Sequence, residues 1–166
     1  FGVDDAATSL YVPMYSTITA VPECFQEGNG DLYTYSPTSA WWTYNIVANW
    51  AYSKYSAMLP DIKKVQTAWE DKFNAQIAVV DEAVAELSVE DKVAWLTKYS
   101  CLQAKESHQA WKELCIYLFT KYLDGQQRKE QDGQFLRNAY GEPEGPNRVP
   151  YPAEYLQTIH EHVAHE

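Results

Sequence analysis

The chain has 166 residues, 46% of them hydrophobic and 22% charged, a composition suited to a folded domain and too apolar for a disordered one. Its 13 basic and 23 acidic residues leave a net charge of −10 with no basic cluster, which disfavours nucleic acid as a partner. The longest apolar runs fall well short of the ~20 residues that a membrane span needs.

Residues 1–37 read as an extended arm. Ser9-Leu10-Tyr11-Val12-Pro13-Met14-Tyr15 favours β structure, and Leu10, Val12 and Met14 share one face at period two. Pro13 cannot donate to a ladder, so a regularly paired central strand is not expected there. Pro22 and Gly28-Asn29-Gly30-Asp31 mark turns. A segment this short cannot hold a sheet alone. Left open, residues 8–18 predict self-association, because they are apolar and almost uncharged.

Residues 38–124 read as a helical domain. Ser36, Thr38 or Ser39 can cap a first helix with an inward stripe of Trp42, Ile46 and Trp50, extending to Tyr55. Pro60 ends or kinks that helix and suits the first turn of the next. The second helix carries Ile62, Val65, Trp69, Phe73, Ile77, Val80, Val84 and Leu87 at steps of three or four, one continuous apolar face. On that pattern Trp69 and Phe73 are core residues. Ser88-Val89-Glu90-Asp91 is a capping signal for a third helix that runs toward Asp124, with Gly125 as its stop. The middle of this helix, Gln103 to Gln109, is polar. It reads as a solvated centre, or else as a surface that meets another domain.

Residues 125–166 read as a Pro/Gly-rich connection and a short terminal helix opened by Pro152, carrying Tyr155, Leu156, Ile159 and Val163. The expected architecture is therefore mainly α: three long helices, a short C-terminal one and an extended N-terminal arm.

Spacing offers no complete active site. Cys24, Cys101 and Cys115 are an odd number for a disulfide framework and read as packed thiols, although one bridge with one thiol left over stays open. Cys101 and His108 share a helix face but lie two turns, ~10 Å, apart, too far for direct proton transfer. Cys101 and Cys115 are too distant along one helix to bridge. The tail His160-Glu161-His162-Val163-Ala164-His165 fails the zinc-protease pattern because position 164 is Ala, and His162 with His165 makes at most a weak chelate. Asp4-Asp5 reads as a solvated turn, with cation or amine binding as the alternative. No catalytic, cofactor-binding or metal residue is assigned. The Trp and Tyr content leaves an aromatic small-molecule pocket open as a class.

Three stretches carry a family resemblance: Ser9 to Thr19 followed by Val21-Pro22, Ser39 to Trp50, and Ser53-Lys54-Tyr55-Ser56-Ala57-Met58 followed by Asp61 to Gln66. Over roughly residues 1–73 they resemble the C-terminal region of the PepD-like cysteine dipeptidases, which are N-terminal-nucleophile hydrolases. The resemblance implies an αββα parent sheet to which residues 1–37 belong, and hydrolysis of dipeptides by a processed N-terminal Cys whose own amine is the base. The chain opens at Phe1, and no cysteine here matches that nucleophile. The resemblance thus implies a C-terminal fragment that packs against the rest of its parent enzyme and contributes a wall of the substrate pocket. The alternative is a non-catalytic helical interaction module; a homo-oligomer is a partner expectation that follows from the open arm.

Overall fold

The computed structural model of the protein describes residues 1–163. Its elements in chain order are α1 (Ala40–Tyr52), α2 (Tyr55–Ala83), α3 (Val89–Lys121), β1 (Gln126–Gln127), β2 (Glu130–Gln131), β3 (Gln134–Phe135), β4 (Asn147–Arg148) and α4 (Ala153–Val163). The fold is mainly α, as expected. The only paired strands among the described residues are two short antiparallel pairs, β1 with β4 and β2 with β3.

The N-terminal arm contains no strand of its own; its one regular turn is a 3-10 turn at Glu23–Phe25. Nor is it loose. Leu10 and Val12 are fully buried, and Thr8 and Ser9 beside them are buried too. The period-two face is right, but the partner is a helix surface rather than a sheet. Gln66 on α2 donates from Nε2 to Ser9 O at 2.6 Å, and Ser100 on α3 accepts from Tyr15 N–H at 3.4 Å. Phe1 and Val12 exchange backbone hydrogen bonds of 2.9 and 2.8 Å, which closes the arm on itself. The expectation that residues 8–18 lie open is thereby corrected: side chains from α2 and α3 satisfy backbone groups that a missing strand would otherwise have to reach.

The loop after the 3-10 turn is tied down around Asn29. Its Oδ1 accepts from Ser36 Oγ (2.6 Å) and Thr38 Oγ1 (2.9 Å), and its Nδ2 donates to Glu23 O (2.9 Å). Ser36 and Thr38 are thus spent on the loop, and Ser39 is the N-cap of α1 by position, without a side-chain cap bond. Gly30 is required here. Its φ is +83°, and a Cβ would sit 2.9 Å from Thr34 O and 3.1 Å from Trp42 Cδ1.

α1 turns a different face inward from the one its largest side chains suggest. Ala40, Thr43, Tyr44, Val47, Ala48 and Ala51 are buried, whereas Trp42 and Trp50 are half-buried and Ile46 and Tyr55 are exposed. Small residues let α1 lie close against α3. The tryptophans lie at its edges and use their N–H groups: Trp42 Nε1 donates to Thr34 O at 3.0 Å and Trp50 Nε1 to Leu118 O at 3.3 Å.

α2 begins at Tyr55, so the chain breaks at Ser53–Lys54 and Pro60 lies inside α2 rather than at a boundary. The α2 stripe is largely confirmed. Ile62, Phe73, Val80 and the following Val84 are buried, and Trp69 is half-buried with Lys72 Nζ 4.1 Å above its ring. Ile77 and Leu87 are exposed. α3 starts where the capping signal placed it: Ser88 Oγ accepts from Asp91 N–H at 3.1 Å and donates to Asp91 Oδ2 at 2.7 Å. It ends at Lys121, and Asp124 and Gly125 follow with φ of 58° and 68°.

One hydrophobic core joins Leu10, Val12 and Cys24 to Tyr44, Met58, Ile62, Phe73, Trp111, Leu118 and Tyr122. A smaller one gathers Val80, Val84, Leu96 and Tyr99 at the far end of α2 and α3. No residue of α4 is buried.

Candidate functional site

The polar middle of α3 is not a solvated centre. Gln103, Ser107 and His108 are buried, and only Lys105, Glu106 and Gln109 face outward. Burial is affordable in part because two of the groups find partners. Ser107 Oγ donates to Gln103 O at 2.7 Å, and His108 Nε2 lies 2.8 Å from Thr43 Oγ1 on α1. Thr43 gives its hydroxyl hydrogen to Ser39 O at 3.1 Å, so the bonding pattern assigns the hydrogen on Nε2 to the bond with Thr43. Burial, then the charge of Lys112, holds the His108 imidazole down to about 4, against a weaker upward pull from Ser39; it is neutral at pH 7. Among the described residues, Tyr44 Oη, Gln103 Oε1 and Trp111 Nε1 are buried without a hydrogen-bond partner.

Against this stretch of α3 lies the 3-10 turn. Cys24 is buried, with Sγ 3.8 Å from Ala104 O, and Cys101 Sγ is 3.8 Å from Ala20 O. Between the two segments runs a cleft of about 380 Å³ whose walls include Cys24, Thr38, Cys101, Lys105, His108 and Lys112. Cys24 of the turn lines it opposite Cys101 and His108, which share the α3 wall. Burial, with Glu23 adding to it and Lys112 opposing, pushes the Cys24 thiol up to about 11. Burial raises Cys115 as well. A thiol held protonated, and an imidazole held neutral and bonded to Thr43, do not form an activated pair. All three thiols are unbridged.

The other sequence candidates described do not line this cleft. Asp5 makes a local turn, with Oδ1 accepting from Ala7 N–H (3.1 Å) and Oδ2 from Thr8 Oγ1 (2.9 Å). Asp4, at φ 66°, accepts from Asn45 on α1 at 2.9 Å. His160 and His162 are exposed on α4, and His165 lies outside the described residues. Among the described residues no group of three His, Cys, Asp or Glu side chains could hold a metal ion.

A second charged cluster was invisible in sequence because its members are far apart. Lys121 Nζ lies 2.9 Å from Asp61 and 3.2 Å from Glu130, and donates to Tyr117 Oη at 2.9 Å. Tyr117 donates to Glu130 at 2.6 Å, and Tyr122 Oη lies 2.8 Å from Asp61 and 2.7 Å from Ala57 O. Burial opposes the Lys121 charge, but Tyr117, Asp61 and Glu130 outweigh it and hold the ammonium above its usual range. Burial and Glu130 push Tyr117 up to about 12. Every charge is answered, so the cluster is a clamp joining α2, α3 and β2.

Residues 1–68 match the family model of peptidase family C69. The match covers the arm, α1 and the first half of α2, the region that carries the resemblance noted above. It includes Cys24 and Thr38 of the cleft, but not the α3 wall. No curated protein and no solved structure matches the chain. None of the described helices is long and apolar enough to cross a membrane.

Proposed function

We propose that the chain is the C-terminal part of a cysteine dipeptidase, and that it supplies helical packing and a wall of the substrate pocket rather than the nucleophile. The match of residues 1–68 to peptidase family C69 carries this reading. The state of the thiols supports it: N-terminal-nucleophile chemistry needs a thiol beside a free amine, and Cys24 is instead buried against Ala104 O with its thiol pushed up to about 11. Its partners are then the remainder of the parent enzyme and the parent's dipeptide substrates.

The test is an assay of the purified 166-residue chain against a dipeptide panel, with and without thiol alkylation, beside the same chain extended by its upstream coding sequence. The extended protein hydrolyses dipeptides and alkylation stops it, while the 166 residues alone do nothing. Alkylation-sensitive turnover by the short chain overturns the reading.

The uncovered apolar face of α4, with Tyr155, Leu156, Ile159 and Val163 all exposed, favours a second reading as a non-catalytic helical interaction module. An inactive extended protein with no processed N-terminal Cys selects it.

A further inference from the structure

Two apolar faces have nothing over them among the described residues. The first is α4, where Tyr155, Leu156, Ile159 and Val163 form one uncharged stripe and keep between 43% and 67% of their surface exposed. The second lies between α1 and α3, a hollow of about 440 Å³ lined by Asn45, Ile46, Asn49, Trp50, Cys115 and Phe119. The Trp50 and Phe119 rings meet at 5.4 Å, and exposed Ile116 extends this face along α3. α1 contains no charged residue. The two amides at the rim are already engaged, Asn45 with Asp4 at 2.9 Å and Asn49 with Asn45 O at 2.8 Å, so an apolar occupant need not supply them with partners.

α4 cannot swing onto the hollow of its own chain without breaking its anchor. Lys54 Nζ holds Val149 O at 3.3 Å and the Tyr151 ring at 4.3 Å, and only Pro152 separates Tyr151 from the start of α4. The Tyr151 and Tyr155 rings meet at 5.3 Å, which carries the anchor into the first turn of the helix.

We propose that α4 of one copy docks on the α1–α3 face of a second copy, and that the two copies exchange the helix reciprocally. Area decides between this and the simpler pairing of α4 with α4. With aromatic side chains covering about 150–250 Å² each, the α4 stripe and the α1–α3 face offer roughly 400 Å² apiece. Pairing α4 with α4 then covers about 800 Å², the size of a lattice contact, whereas reciprocal exchange covers about 1,600 Å², the standard size of a stable complex. Exchange also closes around a twofold axis and leaves no face open for a third copy. The net charge of −10 on each copy opposes the contact, so salt strengthens it. The proposal stands on these two faces and does not rest on the peptidase reading.

The test is sedimentation of the 166-residue chain over a range of protein and salt concentrations, with Ile159→Glu on α4 and Phe119→Glu on α3. Both side chains are exposed, and Ile46→Glu repeats the second variant from α1. The wild type sediments as a monomer when dilute and approaches twice that mass as protein and salt rise. Each variant alone self-associates at least roughly tenfold more weakly. A mixture of Ile159→Glu and Phe119→Glu retains one undamaged contact, so it forms a mixed dimer more readily than either variant dimerises alone. A monomeric mass at the highest protein and salt concentrations overturns the proposal. So does the absence of the mixed dimer. A dimer that Ile159→Glu weakens while Phe119→Glu and Ile46→Glu leave it unchanged is α4 paired with α4, and overturns it as well. The readout is mass, so failure here is distinct from failure of the dipeptidase assay.

Discussion

Residues 1–122 and residues 126–163 handle apolar side chains in opposite ways. In the first region an irregular arm and three helices pool Leu10, Tyr44, Met58, Ile62, Trp111 and Leu118 into one core, and even polar groups such as Gln66 and His108 are enclosed. In the second, no residue of β1–β4 or α4 is buried, although α4 has a clear apolar stripe. Val149 rests partly on the core, and Lys54 holds the segment from the other side, through Val149 O at 3.3 Å and the Tyr151 ring at 4.3 Å. Amphipathic spacing therefore identifies a face that gains from being covered; whether it is covered depends on what the rest of the chain can bring to it.

The contrast is open to four tests, taken from the largest expected effect. Trp111 is fully buried and meets Tyr44 edge to face at 5.4 Å. Trp111→Ala should cost about 3–5 kcal/mol, the range for deleting a core aromatic. Trp111→Phe should cost far less, because it keeps a ring and removes the unpartnered Nε1 donor. Denaturant melts of both variants decide this, and equal losses would show that the N–H has a partner.

Lys121→Met strands Asp61 and Glu130 at the clamp between the two regions. The expected loss is about 3 kcal/mol, at the lower end for breaking an ion pair that is largely buried. It should also loosen β2 and β3, seen as faster amide exchange at Glu130 to Phe135. A melt unchanged from wild type would mean that the second region hangs on without the clamp.

His108 sharpens the first region. Its folded value is about 4 against an ordinary 6.5, so between those values the unfolded chain binds the extra proton. Stability from this group is therefore complete above about pH 6.5 and is lost as pH falls toward 4. Its size is on the order of 2 kcal/mol after allowance for water at the cleft mouth. His108→Gln should flatten the pH dependence of the melting temperature between pH 6.5 and 4.5. A slope identical to wild type would place the imidazole in water.

The smallest effect is at Ser88. Removing its cap bond to Asp91 N–H in Ser88→Ala should cost about 1 kcal/mol, confined to the α2–α3 turn. A loss several times larger in thermal melts would mean that the second core depends on this turn.

Much of the helical frame was legible in the amino-acid sequence, and the reasons are local. The α2 stripe, the Ser88 cap and the stop near Gly125 each depend on residues within a few positions of one another. What was missed depends on distant partners. The inward face of α1 is set by how closely α3 approaches, so Ala40, Ala48 and Ala51 go in while Ile46 stays out. The arm is held by Gln66 and Ser100, residues 57 and 85 positions away from Ser9 and Tyr15. The buried middle of α3 follows from Thr43, 65 positions from His108. One local signal was present and overlooked: Asp132-Gly133, both at positive φ, make the tight turn between β2 and β3. For the candidate cleft, the sequence supplied Cys101 and His108 on one helix face, but not Cys24 or Thr38 opposite them.

Native-state hydrogen exchange on the 166-residue chain tests most directly the claim that the peptidase-like arm belongs to the core while α4 stands outside it. The amide of Val12, which bonds to Phe1 O, and those of Val47, Leu114 and Leu118 should exchange slowly, and the amides of Tyr155 to Val163 should exchange near the rate of a frayed helix. Rapid exchange at Val12 together with α4 protection as strong as that of Leu118, unchanged on dilution, would contradict it.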